Sequence, residues 1–283
     1  MKILVTGGAG FVGSNLIKSL VKDNVEVYSL DNYFTGDPSN HTPGAVYITG
    51  STEDIHKNID FTPDIVYHFG EYSRISTSFE DIDKVWSYNV RGTSEVIKFC
   101  QARGSKLIYS ASSTKFGDNG DNRYASPYAF YKSSNTELIR SYHTWFGLEY
   151  AICYFYNVYG AGQISKGKYA TVIGIFEDKF SKKDALPVVL PGTQKRDFTH
   201  VSDVISGLKL LAAPSISGDG YCFGTGRSHT ILDVARMFNS ETQYLPPRLG
   251  ERMDTSIDLS KSNSIGWESS VNLEEYIKEK INE

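Results

Sequence analysis

The chain has 283 residues, 40% of them hydrophobic and 22% charged, with a formal net charge of −4. Those proportions describe an ordinary soluble globular protein of one or two domains, and they lack the basic excess that a nucleic-acid binder needs. No stretch approaches the ~18 apolar residues that span a bilayer, so no membrane partner is expected and the cytoplasm is the default location.

The N-terminus runs Met1-Lys2 into Ile3-Leu4-Val5, as a signal peptide could, but four glycines between positions 7 and 13 interrupt it before an apolar core develops. Strand-like runs rich in Val, Ile, Tyr and Phe follow at 2–6, 25–30, 45–48, 64–69, 106–111 and 149–155. Short, nearly unbroken apolar runs of this kind suit a parallel sheet buried on both faces. Helical patterns lie between them near 11–22, 81–103 and 127–147. Strand, crossover helix and strand repeated in this way predict an α/β fold, a Rossmann-type doubly wound parallel sheet. Beyond Gly160 the pattern is broken by Pro187, Pro191-Gly192, Pro214, Gly218, Gly220 and Pro246-Pro247. Residues 161–283 therefore read mainly as a smaller substrate-binding part, with some segments returning to pack on a dinucleotide-binding domain at 1–160. Cys100, Cys153 and Cys222 form no metal-ligand spacing and read as buried thiols, and no metal site is expected.

Gly7-Gly8-Ala9-Gly10-Phe11-Val12-Gly13 follows the first strand and opens the first helix. In that setting glycines allow a tight turn and bring backbone close to a pyrophosphate, whose charge the helix N-terminus favours. Asp31 ends the second strand eighteen residues past Gly13, the spacing of an acidic residue on the adenosine ribose. Its carboxylate would accept from ribose hydroxyls and repel a 2′-phosphate, which predicts NAD rather than NADP.

Tyr128 and Lys132 stand four residues apart just after Pro127, hence on one face of a helix that Pro127 can start. The serine-rich Ser110-Ala111-Ser112-Ser113-Thr114 closes the fifth strand, at the sheet edge where such folds bind ligands.

Together these motifs resemble the extended short-chain dehydrogenase/reductase family, in particular its nucleotide-sugar epimerases and dehydratases, over nearly the whole chain. His68-Phe69-Gly70 and Asn89-Val90-Arg91-Gly92-Thr93 look like that family's segments, as do Tyr156-Asn157-Val158-Tyr159-Gly160, Arg196-Asp197-Phe198 and Arg248-Leu249-Gly250-Glu251. Counting back from Gly117 in the family pattern gives Ser112 as the catalytic hydroxyl, beside Tyr128 and Lys132. The resemblance implies an NAD site formed by Gly7, Gly10, Phe11, Val12, Gly13, Asp31, Asn32, Ser51, Thr52, Phe69, Gly70 and Asn89, with Tyr128 and Lys132. It implies a substrate site of Ser112, Ser113, Thr114, Tyr128, Asn157, Arg196, Arg248 and Glu251. Phe116, Tyr154 and Ser51 depart from it, standing where Tyr, Arg and Asp are usual, and the stretch from Gly117 to Tyr128 is shorter than is typical. Glu71 and Arg74 could belong to a sugar pocket or to a salt bridge.

A free phenol has a pKa near ~10, so ionisation at neutral pH needs roughly 4 kcal/mol of help, which nearby cations can give. Dehydratases and decarboxylases of the family carry an acid just after the catalytic hydroxyl, whereas Ser113 and Thr114 stand here. The expected activity is a 4-epimerase acting on a nucleoside-diphosphate sugar, most simply a UDP-sugar, with NAD regenerated each cycle. A reductase that exchanges its cofactor, a dehydratase, or a non-catalytic nucleotide- or RNA-binding relative are the alternatives. The family also implies a homodimer built on the helices near 81–103 and 127–147, which carry Val85, Val90, Ile97, Leu138 and Ile139.

Overall fold

The computed structural model describes residues 1–116, 118 and 123–283, so Gly117, from which Ser112 was counted, and most of the stretch leading to Tyr128 lie outside the described residues. Six strands of the first half, β1 (Lys2–Thr6), β2 (Glu26–Asp31), β3 (Val46–Thr49), β4 (Ile65–His68), β5 (Lys106–Ser112) and β6 (Tyr150–Phe155), pair in parallel. They are followed by β7 (Asn157–Tyr159), β8 (Leu186–Val189), β9 (Lys195–His200), β10 (Gly218–Phe223), β11 (Ser228–Thr230) and β12 (Thr242–Leu245). The central sheet runs β10-β6-β5-β4-β1-β2-β3, a Rossmann-type order that reverses between β1 and β4. Ligands of such sheets bind outside the carboxyl ends at that reversal.

Burial on both faces explains the unbroken apolar runs. In β1, Ile3 and Val5 join one core layer with Leu16, Ile17, Ile108 and Phe223, while Leu4 joins the opposite layer with Val96, Phe99 and Ile139. A third core, including Phe176, Val188, Phe198, Val234 and Phe238, fills the smaller lobe. That lobe is not a separate chain segment. β10 pairs with β6, so the large sheet takes its seventh strand from beyond Gly160.

The helix Phe11–Lys22 has the expected bounds, and the helix Pro127–Phe146 ends one residue early, with Gly147 at φ 72° as its left-handed cap. Ser126 caps the latter helix by accepting from Ala129 N at 3.1 Å, and Pro127 occupies the first helical position. The expected helix at 81–103 is three consecutive pieces, Ile82–Val85, a π-helical Trp86–Gly92 and Thr93–Arg103. Within it Val85 and Ile97, and Ile139 in the neighbouring helix, are fully buried in this chain's own core. Those three cannot form a subunit contact; the exposed large apolar residues on these helices are Ile82, Trp86, Phe130, Trp145 and Phe146. Among the described residues no helix is long and apolar enough to cross a membrane, and no group of His, Cys, Asp or Glu could hold a metal.

Lys106, buried at the start of β5, ties the two halves together. Its ammonium donates to the carbonyls of Leu211, Ala213 and Ile216, each at 2.6 Å, at the end of the helix Val201–Leu210 and the turn after it. A cation is favoured at a helix C-terminus. Burial lowers its pKa, so these bonds compensate a real desolvation cost. Lys106→Met should lower the free energy of unfolding by about 2–4 kcal/mol, since charged bonds are lost and carbonyls are left unpaired. Urea denaturation measures this; a loss within experimental error would show that the three bonds add nothing net.

Candidate active site

The carboxyl ends of β1, β2, β4 and β5 open into a cavity of about 460 Å³ shared with the smaller lobe, a size typical of small-molecule sites. At one end lies the glycine turn between β1 and the helix Phe11–Lys22. Gly7 has φ 72°, and a Cβ there would come within 2.8 Å of Gly70 N. A Cβ on Gly13 would fall 2.2 Å from Gly7 O, so turn and helix can close only with glycines at these two positions. The helix N-terminus has no side-chain cap and no acidic residue in its first turn, and Gly10, Phe11, Val12 and Gly13 line the cavity. An uncapped positive helix end of this kind suits an anionic ligand.

Asp31, at the end of β2, accepts from Ala9 N and Tyr33 N, each at 2.8 Å, and faces the same cavity beside Asn32. Burial raises its pKa against the lowering effect of those two bonds. The glycine turn and this carboxylate together fit the phosphate and ribose parts of a dinucleotide. Phe69 and Gly70 continue the wall, whereas Ser51, Thr52 and Asn89 do not line the cavity. Ser51 caps a short 3-10 turn by accepting from Glu53 N, and Asn89 is buried, bonded to both backbone groups of Tyr72.

Ser112, Tyr128 and Lys132 all line the middle of the cavity. Thr114 donates to Ser112 Oγ from its hydroxyl at 2.9 Å and from its backbone N at 3.3 Å. Both bonds use the serine oxygen as acceptor, which leaves its own hydrogen for a ligand oxygen. Lys132 donates to Ser110 O at 2.5 Å and forms an ion pair with Glu71. The pair is almost dehydrated, with 6% and 1% of the two side chains exposed.

Glu71 is held on every side. Its Oε1 accepts from Thr93 at 2.7 Å, Tyr109 at 3.0 Å and Asn135 at 3.0 Å. Behind Thr93 lies His68, whose Nε2 is 2.9 Å from the threonine oxygen and whose Nδ1 is 2.7 Å from Thr6 Oγ1. Full burial pulls His68 down to about 4, so it is neutral at neutral pH. Burial also pushes Tyr109 well up, and the Glu71 charge adds to that.

At the far end Arg196 pairs with Glu251 and donates to Arg252 O at 2.6 Å. Arg252 is nearly buried, and burial with the adjacent Arg196 charge pushes it down to about 10. Its Nη1 reaches Ser113 Oγ at 3.4 Å, and its Nε has no partner among the described residues. Asp197 turns the other way and accepts from Thr225, so it is not the partner of Arg196. Arg248, Asn157, Ser113 and Thr114 complete this wall. Three guanidinium groups outnumber the carboxylates of Glu251 and Asp118 that act on Arg196 and Arg252, which suits a ligand carrying phosphate or another anion. Arg252 was missed from the sequence because it sits one residue past the motif that marked Glu251. Glu71 was noted there without its partners.

The family profile for the NAD dependent epimerase/dehydratase family matches residues 3–221. A Methanocaldococcus jannaschii protein with the provisional name UDP-glucose 4-epimerase is 32% identical over 299 aligned positions, covering 99% of this chain and 97% of that protein. The crystal structure of UDP-glucose 4-epimerase with UDP-glucose from Thermotoga maritima superposes with a TM-score of 0.91 at 26% identity, covering 100% of this chain and 98% of that one. UDP-glucose 4-epimerase from Thermus thermophilus, solved in complex with NAD, gives 0.89 at 25% identity, with 100% and 98% coverage. The parallel sheet, the glycine turn and these matches agree: the chain belongs to the NAD dependent epimerase/dehydratase family.

Proposed function

We propose that the protein is a nucleoside-diphosphate-sugar 4-epimerase, acting on a UDP-sugar through a 4-keto intermediate with NAD retained between turnovers. The observation that carries this reading is one cavity lined by Ser112, Tyr128 and Lys132 between a glycine turn and an arginine cluster. Residues 1–160 would mainly hold the dinucleotide and 161–283 the sugar nucleotide.

Gly7, Gly10, Phe11, Val12 and Gly13 would hold the pyrophosphate of NAD, and Asp31 its adenosine ribose. The bound nicotinamide supplies a hydride acceptor and, later in the cycle, a hydride donor. Ser112 donates to the C4 oxygen of the sugar and holds it beside Tyr128. Tyr128 takes the hydroxyl proton as the C4 hydrogen leaves, and gives it back when the ketone is reduced. Lys132 keeps a positive charge beside the phenol and offers a hydrogen bond to the cofactor ribose. Arg196, Arg248 and Arg252 grip the diphosphate, so the 4-keto sugar can turn about its linkage and present its other face. Asn157 and Glu251 shape that end.

Elimination of water from the sugar would need an acid beside Ser112. Ser113 and Thr114 cannot serve as one, and four donors already converge on the Glu71 carboxylate. Relatives named UDP-glucose 4-epimerase support the same choice. We also propose a homodimer whose contact uses the exposed Trp86 and Phe130 in place of the buried Val85, Ile97 and Ile139.

Incubation with a panel of UDP-, GDP-, dTDP- and CDP-sugars, followed by NMR and mass spectrometry, should give a product of unchanged mass inverted at C4. Loss of water or carbon dioxide would contradict the proposal. Tyr128→Phe should reduce kcat by about 10²–10⁴-fold while NAD still binds; near-normal turnover would remove Tyr128 from its role. NAD should bind more tightly than NADP, and Asp31→Ala should narrow the gap. Equal affinities in the unaltered protein would show that Asp31 does not select the cofactor.

A further inference from the structure

We propose that Glu71 is a positioning residue that acts as the built-in counter-charge of Lys132, so that the site holds its dinucleotide in the oxidised form more firmly than a lone lysine would allow. The proposal rests on the NAD-dependent reading above and concerns a residue that reading leaves without a task.

The charge state of Glu71 follows from the direction of the bonds around it. Thr6 Oγ1 accepts from the backbone N–H groups of Phe69 and Gly70 at 3.2 and 3.1 Å, so its own hydrogen goes to His68 Nδ1. Neutral His68 then carries its proton on Nε2 and donates it to Thr93 Oγ1. Thr93 in turn donates to Glu71, as do Tyr109 and Asn135. A carboxyl group that meets only donors, one of them an ammonium, is ionised.

Lys132 has three N–H bonds. One goes to Glu71 and one to Ser110 O, which leaves one for a ligand in the cavity. Glu71 thus fixes the direction of the remaining donor as well as opposing the lysine charge.

Hydride transfer requires the nicotinamide carbon to lie ~3–3.5 Å from the sugar carbon whose hydroxyl Tyr128 deprotonates. Lys132 is one helical turn beyond Tyr128, and both line the same cavity as Phe69, Gly70 and Glu71. A nicotinamide bound there would therefore lie close to the Lys132–Glu71 pair. It carries a positive charge when oxidised and none after accepting hydride, while the hydroxyl proton passes to Tyr128. A lone buried cation beside the ring would favour the reduced form by repelling the oxidised one; an adjacent carboxylate cancels that preference. An enzyme that must return its hydride in every cycle gains from the cancellation, because a trapped reduced cofactor ends turnover.

A purely stabilising ion pair would alter unfolding but not the relative affinity for NAD and NADH, so that ratio is the quantity to measure. Cofactor-free protein is titrated with NADH by fluorescence, and with NAD by competition, for the unaltered chain, Glu71→Gln, Lys132→Met and the double variant. Glu71→Gln should shift the ratio toward NADH by about tenfold, equivalent to about 1.4 kcal/mol. Lys132→Met should shift it toward NAD, and the double variant, with neither charge, should return to within about threefold of the unaltered chain. A natively folded Glu71→Gln whose ratio stays within about twofold of the unaltered value would overturn the proposal. Where Glu71→Gln fails to fold by circular dichroism, Lys132→Met decides: a shift toward NAD supports the proposal, and any other result overturns it. Binding of neither nucleotide by the unaltered chain would remove the cofactor reading and this proposal together. The expected ratios in a protein that inverts no sugar would leave this proposal standing and remove the epimerase reading alone.

Discussion

Lys132 reaches the cavity from a helix that packs against the sheet, and its ammonium has to be neutralised there because almost no water reaches it. Glu71 supplies the opposite charge from the loop after β4, and both ions are finished by hydrogen bonds from elsewhere in the fold. Thr93 and Asn135 come from two helices, Tyr109 and Ser110 O from β5, and Thr6 and His68 from β1 and β4. A buried ion pair is tolerable only when its remaining bonding capacity is met in this way. β1, β4 and β5, with the helices that carry Thr93 and Asn135, thus all contribute to the network around the pair.

The two ends of the cavity are built on different principles. At the glycine turn the positive potential comes from backbone: an uncapped helix end approached closely because Gly7 and Gly13 have no Cβ. At the other end it comes from side chains, with Arg196 and Arg252 held together despite like charge, Glu251 paired with Arg196, and the charges of Glu251 and Asp118 acting on both. Both ends present positive charge, and Ser112, Tyr128 and Lys132 lie between them. On the proposed reading this arrangement orients a dinucleotide and a nucleoside diphosphate toward each other, so that the nicotinamide and the sugar meet at Tyr128.

The central sheet was legible in the sequence because strands buried on both faces need uninterrupted apolar runs, as Ile3-Leu4-Val5 shows. The Tyr128 helix was legible because Pro127 starts it, and its observed end at Phe146 is set by Gly147. The glycine turn, Asp31, Tyr128 and Lys132 were picked out by spacing and strand ends and Ser112 by the family resemblance, and all of them line the cavity. What stayed hidden depends on contacts across long separations. That some of 161–283 returns to the first domain was expected, but which segment returns is decided by the pairing of β10 with β6, which local pattern does not encode. The π-helical Trp86–Gly92 keeps the same apolar composition as an ordinary helix, so periodicity gives no sign of it. Asn89 sits in that segment and bonds Tyr72 rather than facing the cavity. Ser51 and Thr52 do not line the cavity, and the Ser51 hydroxyl is taken up as a cap, accepting from Glu53 N. Glu71 reads as an ordinary acidic residue until Thr93, Tyr109, Lys132 and Asn135 are brought to it by the fold.

On the proposed mechanism one hydrogen leaves C4 of the sugar and returns to the same carbon without meeting solvent. A UDP-hexose carrying deuterium at C4, incubated with the cofactor-loaded enzyme in ordinary water, tests it directly. The C4-inverted product should keep the deuterium at C4, with no added NAD required. Deuterium lost to water, or appearing in a pool of free cofactor, would contradict it.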